Sequence, residues 1–243
     1  MGLDLQLLSK YKEEEDFVLQ KTRALKEHEN AYKQTSYHLA GNWVRNTEPL
    51  KYDDFLLSIS INQLRSKTWL VEKLGQIDIP PNKNGKFDIE VIGGWFGFPL
   101  LELLDELFAG RIESIDYYDI DPFCKKVLWR YVDVNNFPVK INYFENFFDR
   151  KEYRTRQLVI NTSQEHMPYI TGEYFKHDPV VVMQSNNFWH DKDHTNACFS
   201  EEEFVTRCGL QNLQFRGTLM QSSFDRYMAI GQFGETNAEK NNG

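Results

Sequence analysis

The chain is poor in cysteine and contains no long apolar run, and both features restrict the class of protein. Only three of its 243 residues are cysteines, Cys124, Cys198 and Cys208, and none forms a Cys-x-x-Cys pair. This pattern favours reduced thiols over a disulfide framework or a zinc knuckle. No apolar segment approaches the ~20 residues that cross a bilayer. The first residues also lack the apolar core of a signal peptide. We therefore expect a soluble, cytoplasmic protein without a membrane partner.

Positive charge is also scarce. The chain has 28 lysines and arginines against 36 acidic residues, so its formal net charge is −8. Each contact to a nucleic-acid phosphate needs a local cation, and the long-range field of this chain repels a polyanion. Extended nucleic-acid binding is therefore disfavoured. The length allows one α/β domain with a full core and an added helical segment.

The most informative part of the sequence is a strand–turn–helix–strand pattern. An apolar run over Phe87–Ile92 enters a turn that contains Gly93, Gly94 and Gly97. An amphipathic helix follows the turn, and a second apolar strand ends at Asp119. A strand, a glycine turn, a helix and a strand with an acidic end form a βαβ unit of the kind that binds a nucleoside.

The spacing of the glycines separates two classes of cofactor. A dinucleotide needs Gly-x-Gly-x-x-Gly, so that the backbone can approach the pyrophosphate. In one register of this turn Ile92 takes the first glycine position, and in the other Trp95 stands where the pyrophosphate must approach. An oxidoreductase that uses a nicotinamide dinucleotide is therefore disfavoured. The turn resembles motif I of the class I S-adenosylmethionine-dependent methyltransferases, which cradles the methionine part of the cofactor and accommodates no phosphate.

The resemblance implies an α/β fold: a doubly wound, mostly parallel seven-stranded sheet, Rossmann-like, with an N-terminal helical extension. Alternating helical and strand patterns, closed by two successive strands, agree with it. The patterns predict strands over residues 87–92 and 158–161, one helix over residues 56–74 and a short helix capped by Ser200, and the resemblance implies that the last strand is antiparallel. We assign residues 1–80 to the extension, residues 81–233 to a domain that binds S-adenosylmethionine and carries the catalytic groups, and residues 234–243 to a disordered tail.

The same resemblance implies a site for S-adenosylmethionine, with S-adenosylhomocysteine as the product. Asp119 would accept hydrogen bonds from both ribose hydroxyls, and Ile120 would contact the adenine ring. Asn146, after the third strand, can bind the adenine amine, although a surface turn explains an asparagine there equally well. The predicted cofactor-binding residues are Gly93, Gly94, Trp95, Gly97, Asp119, Ile120, Asn146, Asn161 and Thr162.

Two candidate catalytic residues follow the fourth strand, at the position of the family's fourth motif. Glu165 or His166 can remove a proton from a hydroxyl or amine acceptor, while a solvated loop histidine is the common alternative. The segment lacks the Asn/Asp-Pro-Pro-Tyr/Phe and Pro-Cys motifs of the enzymes that methylate nucleic-acid bases. Those two activities are therefore disfavoured.

Three further residues are predicted to contact the acceptor. Asn186 and Trp189 lie in a long polar loop after the fifth strand, which has the length of a substrate lid. Trp43 lies in a segment over residues 39–54 that we interpret as a loop covering the same cleft. His190 and His194 in the polar loop, with neighbouring aspartates, are a conceivable metal site, but such loops form turns without a ligand and we predict no metal.

These observations lead to one functional prediction and two alternatives. We predict a methyltransferase that transfers the methyl group of S-adenosylmethionine to a small-molecule or peptide-like acceptor. An enzyme that transfers the aminocarboxypropyl group of the cofactor, or cleaves the cofactor, needs the same cradle and stays open. A non-catalytic binding protein on the same scaffold also stays open.

Overall fold

The computed structural model describes residues 31–150 and 155–234, with the side chains from residue 39 onward. The first 30 residues of the predicted extension, and the predicted tail except for Gly234, lie outside this range. Within the described part of the chain, no helix has both the length and the apolar character needed to span a membrane.

The described residues form six α-helices and seven strands. The helices are α1 (Ala31–Thr47), α2 (Tyr52–Ser58), α3 (Ile61–Leu74), α4 (Leu100–Phe108), α5 (Pro122–Asn135) and α6 (Glu201–Cys208). The strands are β1 (Phe87–Ile92), β2 (Ile112–Tyr118), β3 (Lys140–Phe144), β4 (Leu158–Asn161), β5 (Val180–Asn186), β6 (Asn212–Met220) and β7 (Asp225–Gln232). Short 3₁₀ turns cover Pro49–Lys51, Gln164–His166 and Gly172–Tyr174.

The seven strands form one sheet in the order β3-β2-β1-β4-β5-β7-β6. The first five strands in chain order are parallel to one another, whereas β7 lies antiparallel between β5 and β6. This arrangement confirms the predicted α/β fold with a mostly parallel seven-stranded sheet and N-terminal helices.

The two faces of the sheet are covered differently. On one face, Ile89 and Ile160 share a core cluster with Leu70 of α3 and Leu104 of α4. The described part of the extension therefore packs into the same core as the sheet. On the other face, the apolar cluster joins strand residues to α6 and to the irregular segments that follow β3, β4 and β5.

The helix ends follow local sequence signals. Asp121 caps α5 by accepting a hydrogen bond from the Phe123 N–H at 2.8 Å, with Pro122 in the first helical position. At the start of α6, the Ser200 hydroxyl accepts from the Glu203 N–H at 3.2 Å. The predicted capping residue of α6 is thus confirmed.

The predicted loop over residues 39–54 is wrong, because α1 continues to Thr47 and α2 begins at Tyr52, with a short 3₁₀ turn between them. Gly41 lies inside this helix, and a Cβ there would come within 2.8 Å of the Phe55 ring of α2. The glycine thus permits close packing of α2 on α1. In the sequence alone, the same glycine indicates a break in the helix. Trp43 stacks on Phe123 of α5, with the ring centroids 6.4 Å apart.

A buried cluster of charges lies beneath the irregular segment that follows β3. Glu90 of β1 and Asp116 of β2 are neighbours in the sheet register. Arg150 pairs with Glu90 at 2.7 Å, Arg156 pairs with Asp116, and the Asn142 amide donates to Asp116 at 2.8 Å. Burial raises the pKa of Glu90, while the two arginines act in the opposite direction. These ion pairs attach the segment after β3 to the sheet.

Candidate active site

The glycine turn follows β1, which lies beside β4 in the sheet. The chain continues from β1 to β2 on one side and from β4 to β5 on the other side. β1 and β4 are adjacent, and in such sheets the ligand crevice opens beyond their carboxyl ends. The carbonyl of Gly93 accepts hydrogen bonds from the hydroxyls of Thr162 at 3.3 Å and Ser163 at 2.9 Å. Gly93 has φ +61°, and a Cβ there would lie 2.9 Å from the Ser163 Cβ. The glycine therefore allows the two strand ends to meet.

Asp119 fixes the conformation of the turn. Its Oδ2 accepts from the Trp95 N–H at 2.8 Å, and its Oδ1 accepts from the Asp121 N–H at 3.0 Å. Trp95 has φ +57°, which is unfavourable for a bulky residue, and its carbonyl accepts from the Tyr117 hydroxyl at 3.1 Å. Strained residues held in this way are concentrated at ligand-binding sites.

The surroundings of Asp119 fit a nucleoside. Each carboxylate oxygen receives one backbone donor and keeps acceptor capacity for a ribose hydroxyl. Burial raises the pKa of Asp119, and the two backbone N–H groups oppose this effect. Ile120 is 79% exposed beside the carboxylate and offers an apolar surface to a base. The residues present are therefore compatible with the adenosine part of S-adenosylmethionine.

Gly94 is packed against the buried Tyr117 ring, so that a Cβ at this position would overlap the phenol. We expect Gly94→Ala to lower the free energy of unfolding by at least about 1–3 kcal/mol, the usual cost of overpacking. Urea unfolding monitored by circular dichroism measures this. Gly75→Ala is the matched control, because its Cβ would stay 3.2 Å from the nearest side chain at an ordinary φ. Equal unfolding midpoints for the two variants would contradict the expectation.

Two predicted cofactor residues use their side chains locally. The Asn146 Oδ1 accepts from the Phe148 N–H at 3.0 Å, and its Nδ2 donates to Asp149 at 2.7 Å. Of the two roles considered for Asn146, this geometry favours turn formation over binding of the adenine amine. Asn161 is fully buried, and its Oδ1 accepts from the Ser163 N–H at 2.9 Å. It shapes the turn after β4, and its contact with the cofactor stays a prediction.

Glu165 lies in a buried polar cluster at the ends of β4, β5 and β7. Its Oε1 accepts from the Asn186 Nδ2 at 2.6 Å and pairs with the Arg226 Nη1 at 3.3 Å. Asn186 and Arg226 are partners in the β5–β7 register, which explains why both reach one carboxylate. Within the described chain the Glu165 Oε2 has no hydrogen-bond partner. The carboxylate is thus oriented with one oxygen available.

The extension contributes a cation to this cluster that the sequence analysis missed. Lys67 of α3 is only 7% exposed, and burial, followed by the charge of Arg226, lowers its pKa to about 7. The Ser66 hydroxyl donates to the Gln184 side chain of β5 at 3.1 Å and holds the helix there. A signal existed, because Lys67 lies three residues from Leu64 and from Leu70 on the apolar stripe of its helix.

The loop after β5 brings a histidine to the other candidate catalytic residue. The rings of His166 and His194 meet edge to face, with centroids 4.5 Å apart. In the same loop, Trp189 is 41% exposed and stacks on Phe199, which is 75% exposed, with centroids 4.5 Å apart. The exposed Phe199 was also missed, although an aromatic residue just before the helix cap was visible in the sequence.

Comparison with known proteins identifies the fold. No protein-family profile matches the sequence, and no curated protein matches it either. Solved structures do match. A protein from Galdieria sulphuraria described as a sarcosine dimethylglycine methyltransferase aligns with a TM-score of 0.50 and 11% identity, over 70% of this chain and 86% of that one. The N-methyltransferase NodS from Bradyrhizobium japonicum aligns with a TM-score of 0.51 and 10% identity, over 73% and 99%. The chain has the fold of the class I S-adenosylmethionine-dependent methyltransferases.

Within this methyltransferase fold, the predicted site residues form two groups on either side of the crevice. The first contains Gly93, Trp95 and Asp119, with Thr162 bonded to it from β4. The second contains Glu165 and Asn186, which are bonded to each other. Three other predicted residues stand apart from these bonded groups: Asn146 in its own turn, Trp43 packed on α5, and Trp189 stacked on Phe199.

Proposed function

We propose that the protein is an S-adenosylmethionine-dependent methyltransferase whose acceptor is a small molecule or a peptide-like group. The observation that supports this most strongly is the contact of Asp119 with the strained Trp95 in the glycine turn. It joins the acidic end of β2 to the turn after β1, where a nucleoside with two ribose hydroxyls can be recognised. Gly93 and Gly97, both with positive φ, give the turn its shape.

The residues of the second group act on the acceptor in this proposal. S-adenosylmethionine, when bound, supplies a methyl group activated by its positive sulfur. Glu165, oriented through its Oε1 by Asn186 and Arg226, offers Oε2 to a proton on the acceptor. His166 is exposed beside it and can pass the proton to solvent. Most of the rate enhancement then comes from alignment of the two substrates.

The exposed aromatic pair and the free thiols bear on the acceptor and the compartment. Trp189 and Phe199 present apolar surface at the loop after β5, and we propose that they contact the acceptor. Cys124, Cys198 and Cys208 are buried as free thiols, which suits a reducing compartment such as the cytoplasm. We retain the net charge of −8 as the reason to favour a small or peptide-like acceptor over an extended nucleic acid.

Asp119→Ala is expected to weaken S-adenosylmethionine binding by about 10–100-fold, because hydrogen bonds to a charged group contribute roughly 1.5–3 kcal/mol. Isothermal titration with S-adenosylmethionine and S-adenosylhomocysteine measures this, with NAD⁺ as a negative control. Asp133→Ala removes the same charge from the exposed surface of α5 and should leave the affinity unchanged. Wild-type protein that binds neither compound, or an Asp119→Ala variant with unchanged affinity, would refute the assignment.

The reaction product decides between methyl transfer and the other uses of the cofactor. Incubation of the protein with S-adenosylmethionine and a panel of small amines, phenols and peptides should yield S-adenosylhomocysteine, detected by mass spectrometry. Accumulation of methylthioadenosine instead would indicate transfer of the aminocarboxypropyl group. Tight cofactor binding without turnover of any acceptor would favour the non-catalytic reading.

A further inference from the structure

Three potential metal ligands converge beside the acceptor side of the crevice. Glu165, His166 and His194 each offer one ligand atom, and these atoms all lie within 4.8 Å of one another. Two of the residues follow β4 and the third lies in the loop after β5, so the set exists only because these strands are neighbours. Such a spacing allows one ion to contact all three residues.

The hydrogen bonds of the two histidines leave one nitrogen of each ring free to bind a cation. The His194 Nδ1 lies 2.7 Å from the Phe188 carbonyl, and the His166 Nδ1 lies 3.2 Å from the Asp193 carbonyl. A carbonyl only accepts, so in each neutral ring Nδ1 carries the proton and Nε2 carries the lone pair. Metal-binding histidines are typically held by this kind of bond from the other ring nitrogen.

The carboxylate is held in a comparable way. Asn186 and Arg226 both bind Oε1 of Glu165, whereas Oε2 is buried and has no hydrogen-bond partner among the described residues. Glu165 is only 3% exposed, so water does not readily satisfy that oxygen. An unsatisfied buried carboxylate oxygen is costly unless it has a ligand. The charge of Lys67 attracts the carboxylate but makes no hydrogen bond to Oε2, so we infer that a bound group is the partner of that oxygen.

We propose that Glu165, His166 and His194 bind one divalent first-row transition-metal ion. Two imidazoles and one carboxylate suit Mn²⁺, Fe²⁺, Co²⁺ or Zn²⁺ better than Mg²⁺ or Ca²⁺, which prefer oxygen ligands. Three protein ligands leave coordination positions open, as in catalytic metal sites. This proposal differs from our expectation from the sequence that no metal binds. The reason is that the ring of His194 contacts His166, which follows β4, and the ligand set contains His166 in place of His190.

The ion also defines a class of acceptor, a consequence that rests on the proposed function. With the ion bound, Glu165 and His166 would be its ligands and would not act as base and proton relay. The ion would itself favour loss of the proton of a coordinated hydroxyl, and that proton would pass to solvent. Its open positions face a site for a group that can itself bind a metal, such as a hydroxyl, a phenol or a carboxylate. Lys67 and Arg226 lie close to Glu165 and repel the ion as well, so the site needs negative charge from its ligands, which an anionic acceptor would add to that of Glu165. The structure thus favours an oxygen-bearing anionic acceptor over a neutral amine.

The test is a titration of chelator-treated protein with Co²⁺ at pH 8, where metal ligands are deprotonated. We expect saturable visible absorption at one ion per chain, with a dissociation constant below about 10 µM. His194→Ala should weaken binding more than ~100-fold, since loss of an outer-shell partner alone weakens metal binding 10–100-fold. Glu165→Gln, which keeps the shape of the side chain, should also weaken it strongly. His190→Ala, from the same loop, should bind as the wild type does.

Two results would overturn the metal site: no saturable binding to the wild type, or equal affinities for the wild type and His194→Ala. Titration of His194→Ala with S-adenosylmethionine separates this proposal from the proposed function. The variant should lose the ion and keep the cofactor. Wild-type protein that binds Co²⁺ but not S-adenosylmethionine would support the metal site and refute the methyltransferase assignment. Wild-type protein that binds S-adenosylmethionine but not Co²⁺ would support that assignment and refute the metal site.

Discussion

Lys67→Met should raise the free energy of unfolding by on the order of 4 kcal/mol at pH 7. Lys67 is buried, and its pKa falls from 10.5 to about 7. Between these two values the unfolded chain holds a proton on Lys67 that the folded chain tends to release. The stability of the wild type therefore rises with pH in this range. The gain from methionine should be largest at pH 7 and below, and under about 1 kcal/mol at pH 10.

Urea unfolding of the wild type and the variant at pH 7 and pH 10, in a buffer with a chelator, measures both effects. Lys126→Met is the control, since the side chain of Lys126 is 61% exposed and its removal should change stability little. A Lys67→Met variant less stable than the wild type at pH 7 would show that the attraction of the amine to Glu165 outweighs the cost of its burial. A stabilised variant that binds the acceptor less well would indicate that the chain keeps Lys67 for its function.

Arg156→Leu should destabilise the protein by about 3–5 kcal/mol, because removal of one partner leaves a buried charge uncompensated. Arg156 pairs with Asp116 and lies 3.8 Å from Glu90. All three side chains are at most 6% exposed, so solvent cannot replace the lost cation. Arg150 would remain to compensate Glu90, but Asp116 would lose the cation that pairs with it.

Chemical unfolding and the thermal midpoint both report this loss. Arg216→Leu is the appropriate control, since Arg216 pairs with Glu201 and Glu202 at the surface with 46% of its side chain exposed. Surface ion pairs contribute at most about 1 kcal/mol. Similar losses for the two variants would mean that the cluster around Arg156 is more hydrated than its burial indicates.

The elements of the fold were predictable because their signals are local. The bounds of β1 and β4 agree to the residue with the apolar runs in the sequence, and the cap at Ser200 lies where the capping pattern placed it. The antiparallel direction of β7 was predicted from the resemblance and not from the pattern, because two successive strands in a sequence do not indicate which strands they pair with. The break between α2 and α3 at Ile59–Ser60 was missed, because the apolar periodicity continues across it.

The chemistry of the site was predictable only in part, because its contacts join distant residues. Glu165 and Asp119 were proposed as site residues because each follows a strand of the βαβ series. Arg226 and Lys67 were not proposed, because a cation in a strand or on a helix does not indicate a site until its partner is known. Trp43 was misplaced for a related reason, because Gly41 indicates a turn unless the Phe55 ring that packs on it is considered.

Lys67 and Arg226 lie far apart in the sequence, and this separation delays their contact during synthesis of the chain. The two residues are 226 − 67 = 159 positions apart, and hydrogen bonds of similar span, such as that from Gln221 to the Asn62 carbonyl, fix α3 over the last hairpin. At about 5–20 residues per second, a ribosome needs roughly 10–30 s to proceed from one to the other. During that interval the apolar side of α3 has no β7 to cover it. A nascent chain must therefore wait for its final strands before Glu165 acquires Arg226 as its partner.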